Sequence, residues 1–553
     1  MKFLLLLTAL VSGTPIASEH SIVDEYPRRD GIDIENYRFE LHLSDETDVI
    51  VGRTTVSVRF TNNSVTELPL DLVGIGDNGL GMAVSAVSAK GIELLWAHEA
   101  DLLTIALPET GRTGVRIDVD IEYSGIPDSG LVLGPNRYGD RTFFSDNWPN
   151  RARNWLPTID HPYDKAMNEM VVTAPSHYQV VSNGILVEQT DSDSKTRTTH
   201  WKNSVPIATW LYVLGVAEFA VQHYDDFLGR PLQTWVYRQD REKGFYDFAV
   251  PTKAAMAFYN EYVGPYAYEK LANITSPVTG GGMEAATAIM YHESSVNGER
   301  SVRWRNVIIH EVAHQWFGNA VTQSDWDDVW LSEGFATYFT LLFIEHAYGR
   351  DEFVIGLRDS AERVFAQYEA DPDYRIVHDG LSDMGRVTSR ATYQKGSWIL
   401  HMLRNHMGDA DFWSGIQSYY NRYMNGNATT SDFRSAMEEA SGLDLRHFFQ
   451  QWLYSGGNPR LEGWWDYDAE RHTVQVEIHQ TQTAGPTFQL SLDIGLHFEG
   501  STLPSTLETF EVDERSHRFT IPVESEPTQV TLDPNVKILF ESEFRRSSEG
   551  AKR

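Results

Sequence analysis

The segment HEVAHQWFGN (residues 310–319) constrains this chain more than any other, because it places two histidines and a glutamate within five residues of an apolar run. On a helix ending at Gly318, His310 and His314 lie four residues apart, one above the other on one face. Their rings can converge on one metal ion, for which neutral histidine is a common ligand. Glu311 lies one position round the helix, near that ion but not bonded to it. The alternative is two histidines held by hydrogen bonds in a core.

A third potential ligand favours the metal site. Glu333, in WLSEGFATYF, stands nineteen residues after His314. An antiparallel helix pair would carry it back across from the two histidines, and a carboxylate on so apolar a helix is costly without a partner. Two histidines and one glutamate, with water in the fourth position, are typical of a catalytic zinc site. We therefore predict one Zn²⁺ per chain, held by His310, His314 and Glu333.

The pattern along the 553 residues indicates several domains, because one core does not grow to that size. Period-two strands such as YRFELHL and TTVSVRF predict an antiparallel β domain over residues 19–222. Segments with helical spacing, several ending at glycine, predict a mainly helical catalytic domain over 223–455. Alternation then returns and predicts a small β-sandwich over 456–544, followed by a disordered tail over 545–553. The fold class is multidomain α+β.

Composition and the N-terminus set the expected location and exclude several partners. MKFLLLLTALVSGTPIAS has the form of a secretory signal peptide, so residues 1–18 predict an exported, periplasmic or secreted protein. Their apolar run is too short to span a bilayer, and no second long run follows. No cysteine is present, which excludes disulfides, thiol catalysis and cysteine-ligated zinc. The formal charge of −32 argues against nucleic acid and anionic membranes as partners.

Together with DDVWLSEGFATY, the histidine segment resembles the zinc aminopeptidases of the aminopeptidase N type, among the gluzincin metallopeptidases. GGMEA (residues 281–285) resembles the family's Gly-x-Met-Glu-Asn exopeptidase motif, and TYQKG (392–396) resembles its Tyr-x-Lys-Gly segment. The resemblance implies a thermolysin-like catalytic domain. It also implies a short form without the large C-terminal helical domain of many relatives, and we expect a more open cleft.

The resemblance implies a role for each matching residue. His310, His314 and Glu333 would hold Zn²⁺, and Glu311 would pass a proton from water to the leaving amine. Tyr393 would stabilise the tetrahedral oxyanion. Glu284 would bind the free α-ammonium of a peptide, so that one residue is removed at a time. The neighbouring Gly281, Gly282 and Met283 suit a substrate-binding edge strand, since glycine allows close backbone approach.

Three positions depart from the family pattern. Ala285 replaces the usual asparagine after the anchoring glutamate, and Ser332 replaces the common asparagine before Glu333. Trp148 stands where relatives often carry a glutamine or glutamate that helps to bind the amine. A tryptophan cannot accept a hydrogen bond from ammonium, so either Asp146 substitutes from nearby or Trp148 stacks on the substrate.

Three functions remain open at this point. The first is an aminopeptidase acting on peptides with free N-termini. The second is an endopeptidase, or another hydrolase, that uses the same zinc site without N-terminal restriction. The third is an inactive binding scaffold. Retention of the whole set of ligands, base and tyrosine favours an enzyme, and the anchor at Glu284 favours the aminopeptidase.

Overall fold

The computed structural model describes residues 24–193, 195–500 and 503–547, and the predicted signal peptide at 1–18 lies outside them. The N-terminal region is made of strands: β1 (Ile32–His42), β2 (Ile50–Phe60), β3 (Glu67–Asp71), β4 (Gly81–Ala89), β5 (Ile92–Glu93), β6 (Trp96–Glu99), β7 (Leu102–Ala106), β8 (Arg116–Ile126), β9 (Leu131–Pro135), β10 (Arg141–Ser145), β11 (Ala166–Pro175), β12 (Gln179–Ser182), β13 (Ile185–Asp191), β14 (Thr196–Ile207) and β15 (Leu214–Ala217).

The largest sheet of this region has the strand order β13-β14-β11-β1-β2-β8-β4-β5. Alternate residues of β1 and β2 are buried, as the period-two pattern predicted. The pairing is antiparallel throughout this sheet except between β1 and β11, which run parallel with Tyr37 opposite Asn168. The expected antiparallel β domain is therefore confirmed as β-rich and corrected to a mixed sheet.

The middle region combines a five-stranded sheet and a two-stranded sheet with helices. Its strands are β16 (Phe219–Phe227), β17 (Arg230–Tyr237), β18 (Leu271–Ser276), β19 (Gly282–Met283), β20 (Ala288–His292), β21 (Val321–Gln323) and β22 (Gly426–Ala428). Its helices are α1 (Arg241–Phe248), α2 (Pro251–Tyr262), α3 (Val302–His314), α4 (Trp330–Tyr348), α5 (Arg350–Ala370), α6 (Arg390–Met407), α7 (Asp409–Tyr423), α8 (Thr430–Ser441) and α9 (Arg446–Leu453). The sheet order β16-β17-β18-β20-β19 leaves β19 at an edge.

The start of this region lies earlier than predicted. Strand β16 begins at Phe219 and pairs along its length with β17, so the expected boundary after residue 222 would cut a hydrogen-bonded hairpin. Two predicted helix ends are confirmed: Gly349 directly follows α4 and Gly408 directly follows α6, with φ of +97° and +87°. Within the residues described, none of the helices has the length and apolar character needed to cross a membrane.

The C-terminal region returns to strands, as the sequence pattern predicted: β23 (Arg460–Asp468), β24 (Thr473–Gln480), β25 (Leu490–His497), β26 (Thr506–Val512), β27 (Ser516–Pro522), β28 (Gln529–Leu532) and β29 (Glu541–Arg546). They form two sheets, ordered β27-β24-β23-β29 and β26-β25-β28. Arg545 and Arg546 pair with β23 in a parallel ladder, so the disorder predicted for 545–553 is wrong for these two residues. Residues 548–553 lie outside the described part of the chain.

Candidate active site

Helix α3 carries the two histidines and Glu311, but it ends at His314 and not at Gly318. The chain turns back just after the helix: Gly318 has φ +101°, and its N–H donates to the Val321 carbonyl at 2.8 Å. Any side chain at this position would meet the Ser332 hydroxyl, since an added Cβ would lie 2.2 Å from Ser332 Oγ. The glycine that was predicted to end the helix instead lets the following loop close against α4.

The three predicted metal ligands converge. His310 Nε2 and His314 Nε2 are 3.1 Å apart, and Glu333 Oε2 on α4 lies 3.5 Å and 3.2 Å from them. Ligands at 2.0–2.1 Å around a tetrahedral zinc ion are separated by about 3.3 Å. The three measured separations match the edges of such a tetrahedron. Helix α4 thus brings Glu333 beside the two histidines of α3.

The orientation of the His314 ring is fixed by contacts to its Nδ1 atom. Its Nδ1 lies 3.1 Å from the Phe317 carbonyl oxygen and 3.1 Å from Ser332 Oγ. A proton held on Nδ1 by the carbonyl leaves the Nε2 lone pair facing Glu333, which is the tautomer that a metal requires. Ser332, one of the departures from the family pattern, thus contacts a ligand directly.

Glu311 lies against strand β19 and is buried. Burial raises the pKa of its carboxyl well above the usual range, and the carboxylates of Glu284 and Glu333 add to the rise against the opposing effect of His314. Gly282 permits this placement, because an added Cβ there would lie 2.2 Å from Glu311 Oε1. Strand and helix therefore approach as closely as a glycine allows.

Tyr393 reaches the ligands from α6. Its hydroxyl donates to Glu333 Oε1 at 2.8 Å, so the two oxygens of Glu333 face different groups. Helices α4 and α6 cross at two glycines: a Cβ added to Gly396 would lie 2.9 Å from the Cα of Gly334. This close contact brings the tyrosine within hydrogen-bonding distance of the ligand.

Glu284 follows β19 and is buried beside the ligands. Its carboxylate, that of Glu311 and a ring nitrogen of His314 lie within 4.8 Å of one another. The backbone carbonyl of Glu284 accepts hydrogen bonds from Gln315 Nε2 at 3.0 Å and Asn319 Nδ2 at 2.7 Å. Sequence reasoning did not assign these two amides. Both belong to HEVAHQWFGN, and a buried side-chain amide in an apolar segment needs partners, which was the available signal.

The side chain of Gln315 hydrogen-bonds to the backbone after β19, as the backbone of a neighbouring strand would. Its Oε1 accepts from the Thr287 N–H at 3.0 Å, while its Nε2 donates to the Glu284 carbonyl. One amide thereby ties both ends of the segment that includes Ala285 to the end of α3. The position of Glu284 relative to the histidines is set by this tie and by Asn319.

Trp148 lines the same cleft from the N-terminal region, as predicted. Its ring packs edge to face on Trp210 and Trp326, at centroid distances of 5.8 Å and 5.2 Å. Asp146 also lines the cleft, but its carboxylate forms an ion pair with Arg151 at 2.6 Å. The charge of Asp146 is thus balanced within the chain.

The cleft has a volume of about 880 Å³ and contains all the predicted site residues: Trp148, Gly281, Gly282, Met283, Glu284, His310, Glu311, His314, Glu333 and Tyr393. Three carboxylates meet there. Despite burial, which opposes the charged form, the carboxylates of Glu333, Glu284 and Glu311 raise the pKa of His314 to about 10. Glu333 Oε2 and Glu284 Oε1 are buried without a hydrogen-bond partner among the described residues. Two buried carboxylate oxygens of this kind favour the binding of one cationic group beside Glu333 and another beside Glu284.

Two family models match the chain in order. The peptidase M1 N-terminal domain matches residues 34–211, and the peptidase family M1 domain matches residues 246–452. Human glutamyl aminopeptidase is 31% identical over 57% of this chain and 34% of its own length. Aminopeptidase A of Gloydius brevicauda is 28% identical over 77% and 47%, respectively. The chain thus spans about a third to a half of the length of these curated relatives.

Solved structures are similar over a larger share of their length. The M1 zinc metallopeptidase of Deinococcus radiodurans is 25% identical, with a TM-score of 0.64 over 74% of this chain and 91% of that one. A mutant of the same enzyme gives a TM-score of 0.66 over 76% and 94%. With both domain models matched in sequence order and the ligand residues brought together, the chain belongs to peptidase family M1, as the resemblance of its motifs predicted.

Proposed function

We propose that this chain is a zinc-dependent aminopeptidase that removes N-terminal residues from peptides. Its family, the relatives named aminopeptidases and the solved relatives named zinc metallopeptidases support the proposal. The observation that carries it is the position of Glu284, whose carboxylate lies close to His314 and whose buried Oε1 has no hydrogen-bond partner among the described residues.

That closeness limits how much peptide fits between anchor and metal ligands. Glu284 and His314 have side-chain atoms within 4.8 Å. Successive carbonyls of an extended peptide are about 3.5 Å apart, while the amine and carbonyl of one residue are closer still. A free α-ammonium bound to Glu284 therefore presents the first carbonyl of the peptide to the ligand cluster, and the second carbonyl lies too far along. This spacing favours removal of one residue at a time.

The ligand set fits zinc. His310, His314 and Glu333 would hold the ion, with Ser332 and the Phe317 carbonyl orienting His314. When bound, the ion supplies Lewis acidity, which lowers the pKa of water and polarises a carbonyl. The imidazole and carboxylate donors and the tetrahedral spacing suit this ion, and no ligand from another chain is needed.

Glu311 is placed to move the proton. Its carboxylate takes one proton from water at one oxygen and delivers it to the departing amine nitrogen. Gly282 keeps this carboxylate against the edge strand where the peptide would lie. Tyr393 donates a hydrogen bond from a fixed position beside Glu333, and in the reaction it would donate to the oxygen that becomes negative.

The exposed edge of β19 would bind the peptide backbone. Gly282 and Met283 pair with β20 on one side only, with Gly282 opposite Tyr291 and Met283 opposite Met290. The other side faces the cleft, where an extended peptide can add as a further strand. Trp148 would then contact the N-terminal side chain.

Hydrolysis of aminoacyl anilides tests the proposal. Each substrate is offered with a free and with an N-acetylated amine, with and without a chelator. We expect cleavage of the free-amine substrates only, lost on chelation and in Glu311→Gln, and retained in the exposed control Glu299→Gln. Cleavage that ignores acetylation would instead favour an endopeptidase or other hydrolase. A folded, zinc-loaded protein that cleaves nothing would favour the binding scaffold.

We also propose two features that extend the family assignment. The two C-terminal sheets pack as a sandwich, supported by the contact between Phe510 of one sheet and Phe519 of the other, whose tilted rings have centroids 4.3 Å apart. Residues 1–18 direct export, which N-terminal sequencing of the mature protein from the periplasm or medium would test.

A further inference from the structure

Two arginines without acidic partners flank one end of the cleft. Arg363 of α5 and Arg390, the first residue of α6, line a recess of about 410 Å³ together with Ser389, Tyr393 and Gln394. Arg363, Tyr393 and Gln394 also line the main cleft. The recess is thus continuous with the cleft at the tyrosine that contacts Glu333.

Neither guanidinium group is bound to a described carboxylate, a state that some other described arginines share, Arg303 and Arg358 among them. Within the described ranges, neither Arg363 nor Arg390 forms an ion pair or a side-chain hydrogen bond, although the formal charge is −32. Asp359 lies one turn earlier on α5 and also lines the cleft, yet it forms no ion pair with Arg363. Both arginines therefore keep their hydrogen-bond donors available to a ligand.

The recess lies where the leaving part of a substrate would extend. With the amine at Glu284 and the first carbonyl at the ligand cluster, the N-terminal side chain lies toward Trp148 and the edge strand. A path for the rest of the peptide leads past Tyr393, which lines both the cleft and the recess, toward α5 and the start of α6. Each further residue extends the chain by about 3.5 Å, so we assign the recess to the residues that follow the first one.

We propose that Arg363 and Arg390 bind a carboxylate of the peptide's leaving part, an inference that rests on the proposed aminopeptidase function. The planar guanidinium matches a carboxylate with two parallel hydrogen bonds. The carboxylate is either the C-terminal group of a short peptide or an acidic side chain at the second or third residue. The main cleft mixes carboxylates with arginines, Arg151 and Arg303 among them, whereas the recess is lined by two arginines and no carboxylate, so an anionic group is favoured there.

The test compares peptides that differ only in charge. Trialanine with a free C-terminus, its C-terminal amide, and Ala-Glu-Ala-amide are assayed for kcat and KM. The variants are Arg363→Gln, Arg390→Gln and the double variant. Arg358→Gln is the matched control, because this exposed arginine of α5 lines neither cavity and loses the same charge.

For the wild type we expect the KM of the trialanine amide to exceed that of the free acid by about tenfold, from two exposed charge contacts of up to about fivefold each. In the double variant the ratio falls to about one, with kcat changed far less than KM. The control keeps the wild-type ratio. A preference for the free acid places the C-terminal carboxylate in the recess, whereas a preference for Ala-Glu-Ala-amide over trialanine amide places the side chain there.

Equal KM for acid, amide and glutamyl peptides in the wild type, or a ratio that the double variant leaves unchanged, would overturn the inference. Failure of the wild type to cleave even alanyl anilide would refute the aminopeptidase function separately. In that case the affinity of the zinc-loaded protein for trialanine and for its amide is measured by calorimetric titration. Equal affinity for the two peptides would refute the arginine subsite as well.

Discussion

Replacing Gly282 with alanine would put a methyl group where the Glu311 carboxylate now lies. The added Cβ would be 2.2 Å from Oε1 and 2.4 Å from Cγ of Glu311, whereas ordinary contacts begin at 3.4 Å. Either β19 or Glu311 must move by about 1 Å, and a displacement of that size costs on the order of 100-fold in rate. The metal ligands are not touched. We therefore expect Gly282→Ala to lower kcat about 100-fold while zinc content stays at one per chain.

The neighbouring glycine provides the control. A Cβ added to Gly281 meets nothing within 4 Å, and neither glycine has a positive φ, so alanine is free of backbone strain at both positions. Anilide hydrolysis, zinc content by mass spectrometry and the unfolding temperature are measured for both variants. Wild-type kcat in Gly282→Ala, or an equal loss in Gly281→Ala, would contradict the packing argument. Loss of zinc in Gly282→Ala would show that the damage lies in the ligands.

Three further predictions follow from contacts around the site. Ser332→Ala should weaken zinc retention about 10-fold in chelator competition, because it removes a hydrogen bond behind His314. Gly396→Ala should lower the free energy of unfolding by about 1–3 kcal/mol in denaturant titration, because its Cβ would press on Gly334. Burial first, then Asp328 and Asp24, raise the pKa of Asp325 to about 8. A carboxyl whose pKa is raised in the folded state stabilises the fold below the unfolded pKa near 4, and this contribution is lost as the pH rises through 8. Asp325→Asn should therefore raise the free energy of unfolding by more than about 1 kcal/mol at pH 8 and by little at pH 4, as measured by thermal unfolding at the two pH values.

The ligand cluster could be predicted because its logic is local. The spacing of His310 and His314 is a property of one helix, and an apolar second helix that carries Glu333 has few ways to satisfy that carboxylate. Period-two and helical patterns are local in the same sense, and the strands and helices of the structure follow them. The structure brings the three residues together.

The contacts that set the anchor could not be predicted, because they join segments far apart in sequence. Gln315 and Asn319 hold the Glu284 carbonyl only after β19 has packed against the end of α3. The helix end at His314 was missed for a related reason: the turn at Gly318 is closed by tertiary contact with Ser332. Glycine after a helical run marks a stop, but not how the chain leaves it.

The domain boundary and the C-terminal tail show that sequence patterns do not locate the ends of strands. Strand β15 ends at Ala217 and β16 begins at Phe219, so no loop signal separates the last N-terminal strand from β16. Arg545 and Arg546 are charged and close to the terminus, yet backbone hydrogen bonds to β23 order them regardless of side chain. Strand pairing decides both cases, and it depends on partners elsewhere in the chain.

The most direct test of the central claim is the ratio of kcat/KM for free and N-acetylated alanyl anilide, measured for the wild type and for Glu284→Gln. We expect kcat/KM of the wild type to be much higher for the free amine than for the acetylated one. In Glu284→Gln, activity on the free amine should fall by at least about 100-fold, because a buried ammonium loses its charged partner. Preference retained without the Glu284 charge, or no preference in the wild type, would contradict the assignment of Glu284 as the anchor that makes this site an aminopeptidase.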